Sequence, residues 1–243
     1  MKITVWGGSG FLGSHVSDAL AKQGHKVTIA DKNKSPWLVK TQKMVQGDVL
    51  DKELVEKSVT GADAVFNFSG IADIHEADID PSKSAEINIL GNINLLDACV
   101  KQSVKRYIFA SSLYVYSRSG GFYRCSKQAC ENYIDEFHRQ RGLEYTILRF
   151  GSLYGPRSDE KNAVYRFIES AMKENIINYW GRPEALRDYI HVYDAAQVCA
   201  DILDDRYKNE NIIISGSQNL KVSDVMEMII EIIGSDIELS FDE

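Results

Sequence analysis

The sequence predicts an α/β protein built on a doubly wound parallel sheet, and three observations support this fold class. Short apolar runs alternate with helical patterns from the N-terminus to about Phe150. A glycine-rich turn separates the first apolar run from the first helical pattern. Beyond Phe150 the rhythm breaks, and Gly-Pro-Arg and Gly-Arg-Pro turns interrupt the chain. Because alternating strands and helices favour parallel strands joined by crossover helices, we expect one such sheet followed by a small C-terminal lobe.

Six apolar runs predict the strands of this sheet. They are residues 2–6, 26–30, 43–46, 64–68, 106–110 and 144–149, of which the third is the weakest. Four stretches with helical periodicity lie between them, at residues 11–23, 51–59, 84–102 and 123–140. In the second half we expect a helix near residues 164–173, a strand at 212–215 and a helix at 223–233 with Ser223 as its N-cap.

Composition and charge narrow the class of protein. The chain has 243 residues, 44% of them hydrophobic and 26% charged, which is ordinary for a globular protein. A net charge of −7 argues against a nucleic-acid partner, and no apolar run approaches the ~18 residues of a membrane helix. The four cysteines form no CxxC pair and no metal-ligand spacing with histidine, so we expect no metal site and reduced thiols. Since no signal-peptide pattern is present, we expect a cytoplasmic protein.

The glycine-rich turn has the spacing of a phosphate-binding loop. Gly7, Gly10 and Gly13 form a G-x-x-G-x-x-G pattern directly between a strand and a helix. The first glycine permits the tight turn, the second lets the backbone approach a pyrophosphate, and the third lets the helix pack closely on the strand. The N–H groups of the helix that starts at Phe11 and Leu12 then face the anion. An ordinary turn is the alternative, but the flanking strand and helix favour a dinucleotide site on a Rossmann-type fold.

Two acidic residues that follow later strands refine the choice of dinucleotide. Asp31 ends the second strand, 18 residues after the last loop glycine. A carboxylate at that place accepts hydrogen bonds from ribose hydroxyls and repels a 2′-phosphate. This predicts NAD rather than NADP, although Lys32 and Lys34 weaken the bias. Asp48 is a candidate partner for the adenine amino group; the alternatives are a solvated turn residue for Asp31 and a helix N-cap for Asp48.

A tyrosine and a lysine with helical spacing form the candidate chemical centre. Tyr123 and Lys127 stand four residues apart, so their side chains share one helix face. A tyrosine with an ordinary pKa near 10 is a poor base at neutral pH, and a nearby ammonium lowers that pKa. Such a tyrosine exchanges a proton with a hydroxyl while hydride moves to or from nicotinamide. Ser111 and Ser112 follow the fifth strand, at the sheet edge where ligands bind. Tyr-x-x-x-Lys and Ser-Ser are each common at helix surfaces and turns, but in this order they predict a Ser112–Tyr123–Lys127 site.

Taken together, these segments resemble the extended short-chain dehydrogenases/reductases, in the branch of nucleotide-sugar epimerases and dehydratases. The resemblance covers most of residues 1 to about 230, and its motifs are specific for the superfamily rather than for one reaction. The matching segments are GGSGFLG at 7–13, GDV at 47–49, EINILGNINLLDAC at 86–99, FASSLYVYS at 109–117, YRCSKQACE at 123–131, LRFGSLYGPR at 148–157 and RDYIHVYDAA at 187–196.

The resemblance implies a domain organisation and a cofactor. Residues 1–150 would form the NAD-binding Rossmann domain, with 188–206 packing back on it, and residues 151–187 and 207–243 would form a small C-terminal substrate-binding lobe. The cofactor would be NAD. The residues expected to contact it are Gly7, Gly10, Phe11, Leu12, Gly13, Asp31, Asp48, Val49, Phe68, Ser69, Gly70, Tyr123 and Lys127.

Catalytic roles also follow from the resemblance. Tyr123 would be the acid/base, Lys127 would contact the nicotinamide ribose and tune Tyr123, and Ser112 would be the catalytic hydroxyl of the family. Family 4,6-dehydratases carry Asp-Glu after the catalytic residue, where this chain has Leu113 and Tyr114. Because neither side chain can perform acid/base elimination, a dehydratase is disfavoured.

On the substrate side the resemblance implies Asn88, Ser152 and Arg187. Arg187 would grip the diphosphate of a nucleotide sugar, which suits a bidentate guanidinium; an ion pair with Asp188 is the alternative. Many relatives have Asn at the position of Ser152, and Ser offers fewer polar contacts. His191 is expected to pack structurally. The chain ends soon after the 223–233 helix, so we expect either a minimal lobe or a truncated C-terminus.

Three functional hypotheses remain open at this point. The first is an NAD-dependent 4-epimerase of a nucleotide sugar, working through a transient 4-keto sugar, with a place in polysaccharide biosynthesis. The second is an NAD(P)H-dependent reductase of a 4-keto nucleotide sugar. The third, a non-catalytic dinucleotide sensor, is disfavoured because Ser112, Tyr123 and Lys127 are all retained. We also expect a homodimer through the helices near 86–102 and 124–140, since dimers in this superfamily often form through a four-helix bundle.

Overall fold

Residues 1–234 and 236–242 are described by the structure, a computed structural model, and they fold as two units. The first unit is Met1–Phe150 with Ala196–Ile213, and the second is Gly151–Ala195 with Ile214–Glu243. The sequence places the later boundaries instead after residues 187 and 206. Positions 235 and 243 of the expected lobe lie outside the described residues.

The elements follow the expected order of strand and helix in the first half of the chain. The strands are β1 (Lys2–Trp6), β2 (Lys26–Asp31), β3 (Lys43–Gln46), β4 (Ala64–Asn67), β5 (Arg106–Ser112), β6 (Glu144–Phe150), β7 (Ser152–Tyr154), β8 (Ile176–Trp180), β9 (Leu186–His191), β10 (Glu210–Ile214), β11 (Asn219–Lys221) and β12 (Glu238–Asp242). The α-helices are α1 (Phe11–Lys22), α2 (Lys52–Val59), α3 (Ile74–Ile79), α4 (Pro81–Ser84), α5 (Gly91–Lys101), α6 (Gly121–Arg141), α7 (Ala163–Glu174), α8 (Val192–Asp201) and α9 (Val222–Ile233). A π-helical segment, Ala85–Leu90, joins α4 to α5, and a 3-10 helix, Leu113–Tyr116, follows β5. None of the helices in the described part of the chain has both the length and the apolar character needed to cross a bilayer.

A seven-stranded sheet organises the first unit. Its order is β10-β6-β5-β4-β1-β2-β3, and the six strands from β6 to β3 pair in parallel. The strand order reverses between β1 and β4, which is the switch point where open α/β sheets bind ligands. The expected fold class, a Rossmann-type doubly wound parallel sheet, is thereby confirmed.

Helices cover the sheet of the first unit and bury its central strands. All four residues of β4 are buried, as expected for a parallel strand with helices on both faces. Leu95, Leu96 and Cys99 of α5 have no exposed surface, and Cys130 and Ile134 of α6 join the same core. Each fully buried Leu or Ile side chain contributes about 1.5–3 kcal/mol. This packing fixes the strand ends from which the candidate site is built.

The second unit has its own small core. β9 pairs in parallel with β7 and antiparallel with β11, while β8 and β12 form a parallel pair. Helices α7 and α9 contribute Val164, Phe167, Met226 and Ile229 to a cluster that also holds Ile177. The strands of this unit were not predicted, because β7 and β11 have only three residues each and the longer strands lack a clear alternation of apolar and polar residues.

Three expectations about helices and strands were wrong for identifiable reasons. The N-cap of α9 is Lys221 rather than Ser223, because the Asp224 carboxylate accepts from the Lys221 N–H at 3.2 Å and starts the helix earlier. The single helix expected over 84–102 is interrupted by the π-helical segment. In addition, the strand expected at 212–215 begins at Glu210 and extends the large sheet beside β6, which draws the residues before Ile214 into the first unit.

Candidate active site

The glycine loop between β1 and α1 requires glycine at two positions. Gly7 has φ +75°, and a Cβ there would lie 2.5 Å from the Phe68 carbonyl carbon. A Cβ on Gly13 would lie 2.2 Å from the Gly7 carbonyl oxygen, so this residue sets the close approach of helix to strand. α1 begins after Gly10 with no side-chain cap and no acidic residue in its first turn. The first N–H groups of α1 are therefore available to an anion.

A cleft of about 350 Å³ opens at this loop. Its lining brings together most of the residues that the sequence assigns to the cofactor. These are Gly7, Gly10, Asp31, Asp48, Val49, Phe68, Ser69 and Gly70, beside Trp6, Lys32, Asn33, Ile71, Glu76, Lys83 and Ile87. Phe11, Leu12 and Gly13 belong to the first turn of α1 instead of the lining.

Backbone N–H groups and a neighbouring ion pair surround the end of β2, where Asp31 lies. Its carboxylate accepts from the Ser9 N–H at 3.0 Å and from the Asn33 N–H at 2.9 Å, which ties the glycine loop to the second strand. Lys32 forms an ion pair with Asp48 at 3.3 Å. Because that ammonium already faces a carboxylate, it is a weaker partner for a 2′-phosphate than a free lysine would be.

Asp48 does not act as the helix cap that the sequence left as an alternative. Its carboxylate accepts from the Leu50 N–H at 3.0 Å, a short local turn. The N-cap of α2 is Asp51, whose carboxylate accepts from the Leu54 N–H at 3.1 Å. Asp48 thus lines the cleft, and its contact with adenine stays a prediction.

A buried amide fixes the loop after β4. The Asn67 side chain donates to the Tyr107 hydroxyl at 2.8 Å and accepts from both the N–H and the hydroxyl of Ser69. Asn67 and Tyr107 are almost fully buried. The cleft wall at Phe68, Ser69 and Gly70 is therefore held from the core, a role that sequence patterns did not reveal.

Tyr123 lies in the first turn of α6 and is 9% exposed. The start of this helix is fixed from α3, because the Asp78 carboxylate accepts from the Phe122 N–H at 3.0 Å. The Tyr123 ring packs edge-on against Tyr114, with ring centroids 6.3 Å apart. Burial raises the pKa of Tyr123 to about 12, while a hydrogen bond with Ser112 acts in the opposite direction.

The pKa of Tyr123 is raised rather than lowered, and the contacts of Lys127 give a geometric reason. The Lys127 ammonium donates to the Ala110 carbonyl at 2.8 Å and lies over two ring faces, 4.8 Å from the centroid of Phe109 and 5.7 Å from that of Tyr123. It is thus directed at the sheet and at the ring rather than bonded to the phenol oxygen. Burial lowers the pKa of Lys127 itself. Ser112, Tyr123 and Lys127 are nevertheless brought together, each less than one-tenth exposed.

Asn88 occupies the π-helical segment and braces α6. Its side-chain NH2 group donates to the Ile71 carbonyl at 3.0 Å and to the Ser126 hydroxyl at 2.9 Å. Its side-chain oxygen accepts from the Ile71 N–H at 2.7 Å. Both N–H groups of the side chain are therefore used inside the protein. These bonds hold the Ile71 loop against α6, and a substrate contact by Asn88 stays a prediction.

The remaining predicted residues lie in the second unit. Ser152 is on β7 and Arg187 is on the neighbouring strand β9. Arg187 donates to the Leu186 carbonyl, and in the described part of the chain it forms no ion pair with Asp188, since successive strand residues point to opposite faces. His191 packs edge-on against Tyr154 and Tyr193, which agrees with a structural role.

The fold and this arrangement of residues define the class of protein: a Rossmann-fold enzyme of the short-chain dehydrogenase/reductase type. The chain matches the NAD dependent epimerase/dehydratase family over residues 3–215, and it belongs to that family. The family and enzyme class expected from the sequence are thereby confirmed.

Relatives extend over almost the whole chain. A putative UDP-glucose 4-epimerase from Methanocaldococcus jannaschii is 30% identical, covering 99% of this chain and 85% of that protein. The crystal structure of UDP-glucose 4-epimerase from Thermotoga maritima with UDP-glucose is 29% identical and has a TM-score of 0.93, covering 100% of this chain and 85% of the other. The crystal structure of the Thermus thermophilus UDP-glucose 4-epimerase in complex with NAD is 28% identical and has a TM-score of 0.89, covering 99% and 86%.

Proposed function

We propose that this protein is an NAD-dependent 4-epimerase of a UDP-activated sugar. The observation that carries the proposal is the grouping of Ser112, Tyr123 and Lys127 in the same unit whose glycine loop and Asp31 line a cleft of about 350 Å³. The three relatives described above are named as UDP-glucose 4-epimerases, which supports the same reaction and the same nucleotide.

Different residues of the first unit would contact different parts of the cofactor. Gly7, Gly10 and the free N–H groups of α1 suit the pyrophosphate, and the Asp31 carboxylate suits ribose hydroxyls. When bound, NAD supplies a hydride acceptor and donor, and its positive ring favours a nearby phenolate. The ion pair of Lys32 with Asp48 supports NAD over NADP.

Proton transfer would be the task of Tyr123. As the phenolate it takes the proton of the C4 hydroxyl when the sugar is oxidised, and the phenol formed in that step returns the proton when the ketone is reduced. Ser112 hydrogen-bonds the phenol and is placed to hold the sugar oxygen as charge develops. Lys127 is anchored on Ala110 and supplies the fixed positive charge of the site.

We also assign the second unit to the nucleotide sugar. Arg187 would grip the diphosphate through its guanidinium, and Ser152 on the adjacent strand would donate a hydroxyl hydrogen bond. Arg187→Lys keeps the charge but removes the bidentate fork, so it should raise KM for the sugar nucleotide more than it lowers kcat.

The experiment is a product analysis with a cofactor inventory. The purified protein is desalted and its nicotinamide is extracted, then it is incubated with UDP-, GDP- and dTDP-sugars and the products are followed by NMR. A 4-epimerase retains NAD and interconverts C4 epimers of a UDP-sugar with no net consumption of cofactor. Loss of cofactor on desalting together with NADH-dependent turnover of a keto-sugar would identify the reductase instead. Unchanged function in cells carrying Tyr123→Phe would favour the sensor.

We further propose a cytoplasmic homodimer with a place in polysaccharide biosynthesis. The helices near 86–102 and 124–140 pack together in the first unit and expose Leu90 and Tyr133, which are 42% and 45% accessible. Cys99, Cys130 and Cys199 are buried free thiols, which suit a reducing compartment. Fractionation of cells tests the compartment, and light scattering tests the oligomeric state.

A further inference from the structure

A buried ion pair lies beside the candidate acid/base residues and is not part of them. Arg149 of β6 meets Glu131 of α6 through two bonds, Nε to Oε1 at 3.0 Å and Nη2 to Oε2 at 2.6 Å. Both side chains are nearly removed from water, at 13% and 12% exposure. The hydrogen bond with Glu131 raises the pKa of Arg149. Such a pair has a fixed geometry, and loss of one partner leaves an uncompensated buried charge.

Two further bonds extend this pair toward the site. The Ser111 hydroxyl donates to Glu131 Oε1 at 2.5 Å, and Ser111 directly precedes Ser112 on β5. The Arg149 guanidinium donates to the Tyr116 hydroxyl and lies over its ring. Tyr116 ends the 3-10 helix that Ser112 caps, so the ion pair holds both sides of Ser112.

The same pair is linked to Tyr123 and Lys127 through α6. Glu131 follows Lys127 by one helical turn, so both side chains lie on one face. The 3-10 helix held by Arg149 carries Tyr114, whose ring packs on Tyr123. Four elements, namely β5, β6, α6 and the 3-10 helix, therefore meet at one carboxylate and one guanidinium, and β5 and α6 carry the candidate chemistry.

We propose that Glu131 and Arg149 are positioning residues that align Ser112 with Tyr123 and Lys127. This inference rests on the proposed function only where kcat is measured, since that measurement requires epimerase activity. The negative charge of Glu131 favours the ammonium form of Lys127, against the effect of burial. On its own helix Lys127 faces Tyr123, Cys130 and Glu131. On β5 it faces the Ala110 carbonyl and the Phe109 ring. Arg149 of β6 reaches it only through Glu131.

Glu131→Gln removes the charge and keeps the shape of the side chain. We expect kcat to fall about 10- to 100-fold with little change in KM, because a small misplacement of reacting groups has that effect. We also expect the alkaline limb of the kcat profile to move to lower pH, because the pKa of Lys127 falls when its carboxylate neighbour is lost. The matched control is Glu136→Gln on the same helix, which affects the exposed pair with Arg139 and the exposed hydrogen bond from Gln140, and it should leave both values unchanged.

A second readout does not depend on epimerase activity. In protein labelled with ¹³C at the lysine Cε, the Lys127 signal is followed through a pH titration in the wild type and in Glu131→Gln. The positioning role requires a lower pKa of Lys127 in the variant. An unchanged Lys127 titration with kcat falling only in proportion to the folded fraction would overturn it.

Variants at the edge of the cluster cover the case in which Glu131→Gln does not fold. Tyr116 is 63% exposed, so Tyr116→Phe should fold normally and still lower kcat several-fold, because the guanidinium loses its hydroxyl partner. Wild-type kcat in Tyr116→Phe and in Ser111→Ala would contradict the inference. If the wild type interconverts no sugar, the proposed function fails, and the lysine titration still decides whether Glu131 acts on Lys127.

Discussion

At Tyr123 two opposing effects act on one phenol. Burial raises its pKa, the Ser112 hydrogen bond lowers it, and burial dominates because the ring is enclosed by Ile71, Ala77 and Tyr114. The side chain therefore holds its proton at neutral pH. This form suits the half of an epimerase cycle in which a ketone receives a proton.

The raised pKa of Tyr123 predicts a loss of stability at alkaline pH. The folded protein keeps this proton up to about pH 12, whereas the unfolded chain releases it near 10. The stabilisation is thus fully present below pH 10 and is lost as pH rises toward about 12, a total of about 2–3 kcal/mol. Urea unfolding at pH values around 9 and around 11 should show a smaller decline for Tyr123→Phe than for the wild type.

The decline in the wild type is the reference for this measurement. Tyr107 and Tyr145 also have raised pKa values, and they add the same alkaline loss of stability to both proteins. Equal declines in the two proteins would show that the phenol of Tyr123 titrates normally.

Asp31 supports a second prediction at the residue scale. Asp31→Asn keeps the size of the side chain but removes the charge, and its single oxygen can accept from only one of the Ser9 and Asn33 N–H groups. We expect the Kd for NAD to rise about tenfold, the effect of losing a charged hydrogen bond, and the discrimination against NADP to shrink. Fluorescence titration with each dinucleotide measures both.

A matched substitution separates this effect from general loss of charge. Asp51→Asn keeps an equally good N-cap on α2 and lies outside the cleft lining. Its dinucleotide affinities should equal those of the wild type, and a similar change in both variants would remove Asp31 from the site.

Residues of the candidate site were predictable where a short stretch of sequence determines the local geometry. The glycine loop, and the Tyr123–Lys127 spacing, are local patterns that a strand or helix converts directly into geometry. The Glu131–Arg149 pair joins residues 18 positions apart on different elements, so no local pattern indicated it. The direction of the Tyr123 pKa was missed because burial depends on the Ile71 loop, which is distant in sequence.

At the scale of elements, the glycine loop makes a prediction about helix packing. Gly13→Ala places a Cβ 2.2 Å from the Gly7 carbonyl oxygen, so α1 must move away from β1. We expect a loss of about 1–3 kcal/mol and a lower Tm. Gly10→Ala is the contrasting variant, because its Cβ would lie at an ordinary 3.4 Å. Its Tm should stay near that of the wild type while NAD affinity falls, since the methyl group keeps the pyrophosphate away from the backbone.

Calorimetry and dinucleotide titration on the two variants test this contrast. Equal Tm values for Gly13→Ala and the wild type would mean that the helix is not held by the close approach.

The first six strands were predictable because parallel strands covered on both faces appear as apolar runs bounded by turns. Strands β7 and β11 have only three residues each, too few to show a period. The Ser84–Gln102 region has a helical pattern throughout, and sequence periodicity did not separate its π-helical part from its α-helical part.

For the whole molecule, the net charge of −7 opposes an anionic substrate. Binding of a sugar diphosphate must therefore depend on local groups such as the helix N-terminus and single arginines. For this reason the sequence predicts a small anionic ligand, which a few local groups can hold, rather than nucleic acid, which requires an extended basic surface.

The proposed homodimer makes the prediction at this scale. Tyr133→Glu places a charge on the exposed part of α6 and should convert a dimer into a monomer in light scattering. Ile232→Glu on α9 is the control, because this side chain is 84% exposed and lies in the second unit. Its mass should equal that of the wild type. A monomeric wild type would contradict the proposal directly.

The π-helical segment Ala85–Leu90 has a consequence for comparing sequences of different length. A π turn is equivalent to about one extra residue inserted into an α-helix, and each residue turns the helix by about 100°. Deleting one residue from this segment would restore a regular helix and rotate Asn88 out of phase with Ile71 and Ser126, while Leu95 and Leu96 kept their places in the core. A relative with a single-residue gap between the equivalents of Pro81 and Leu95 is therefore expected to have lost this brace, whichever side chains it retains.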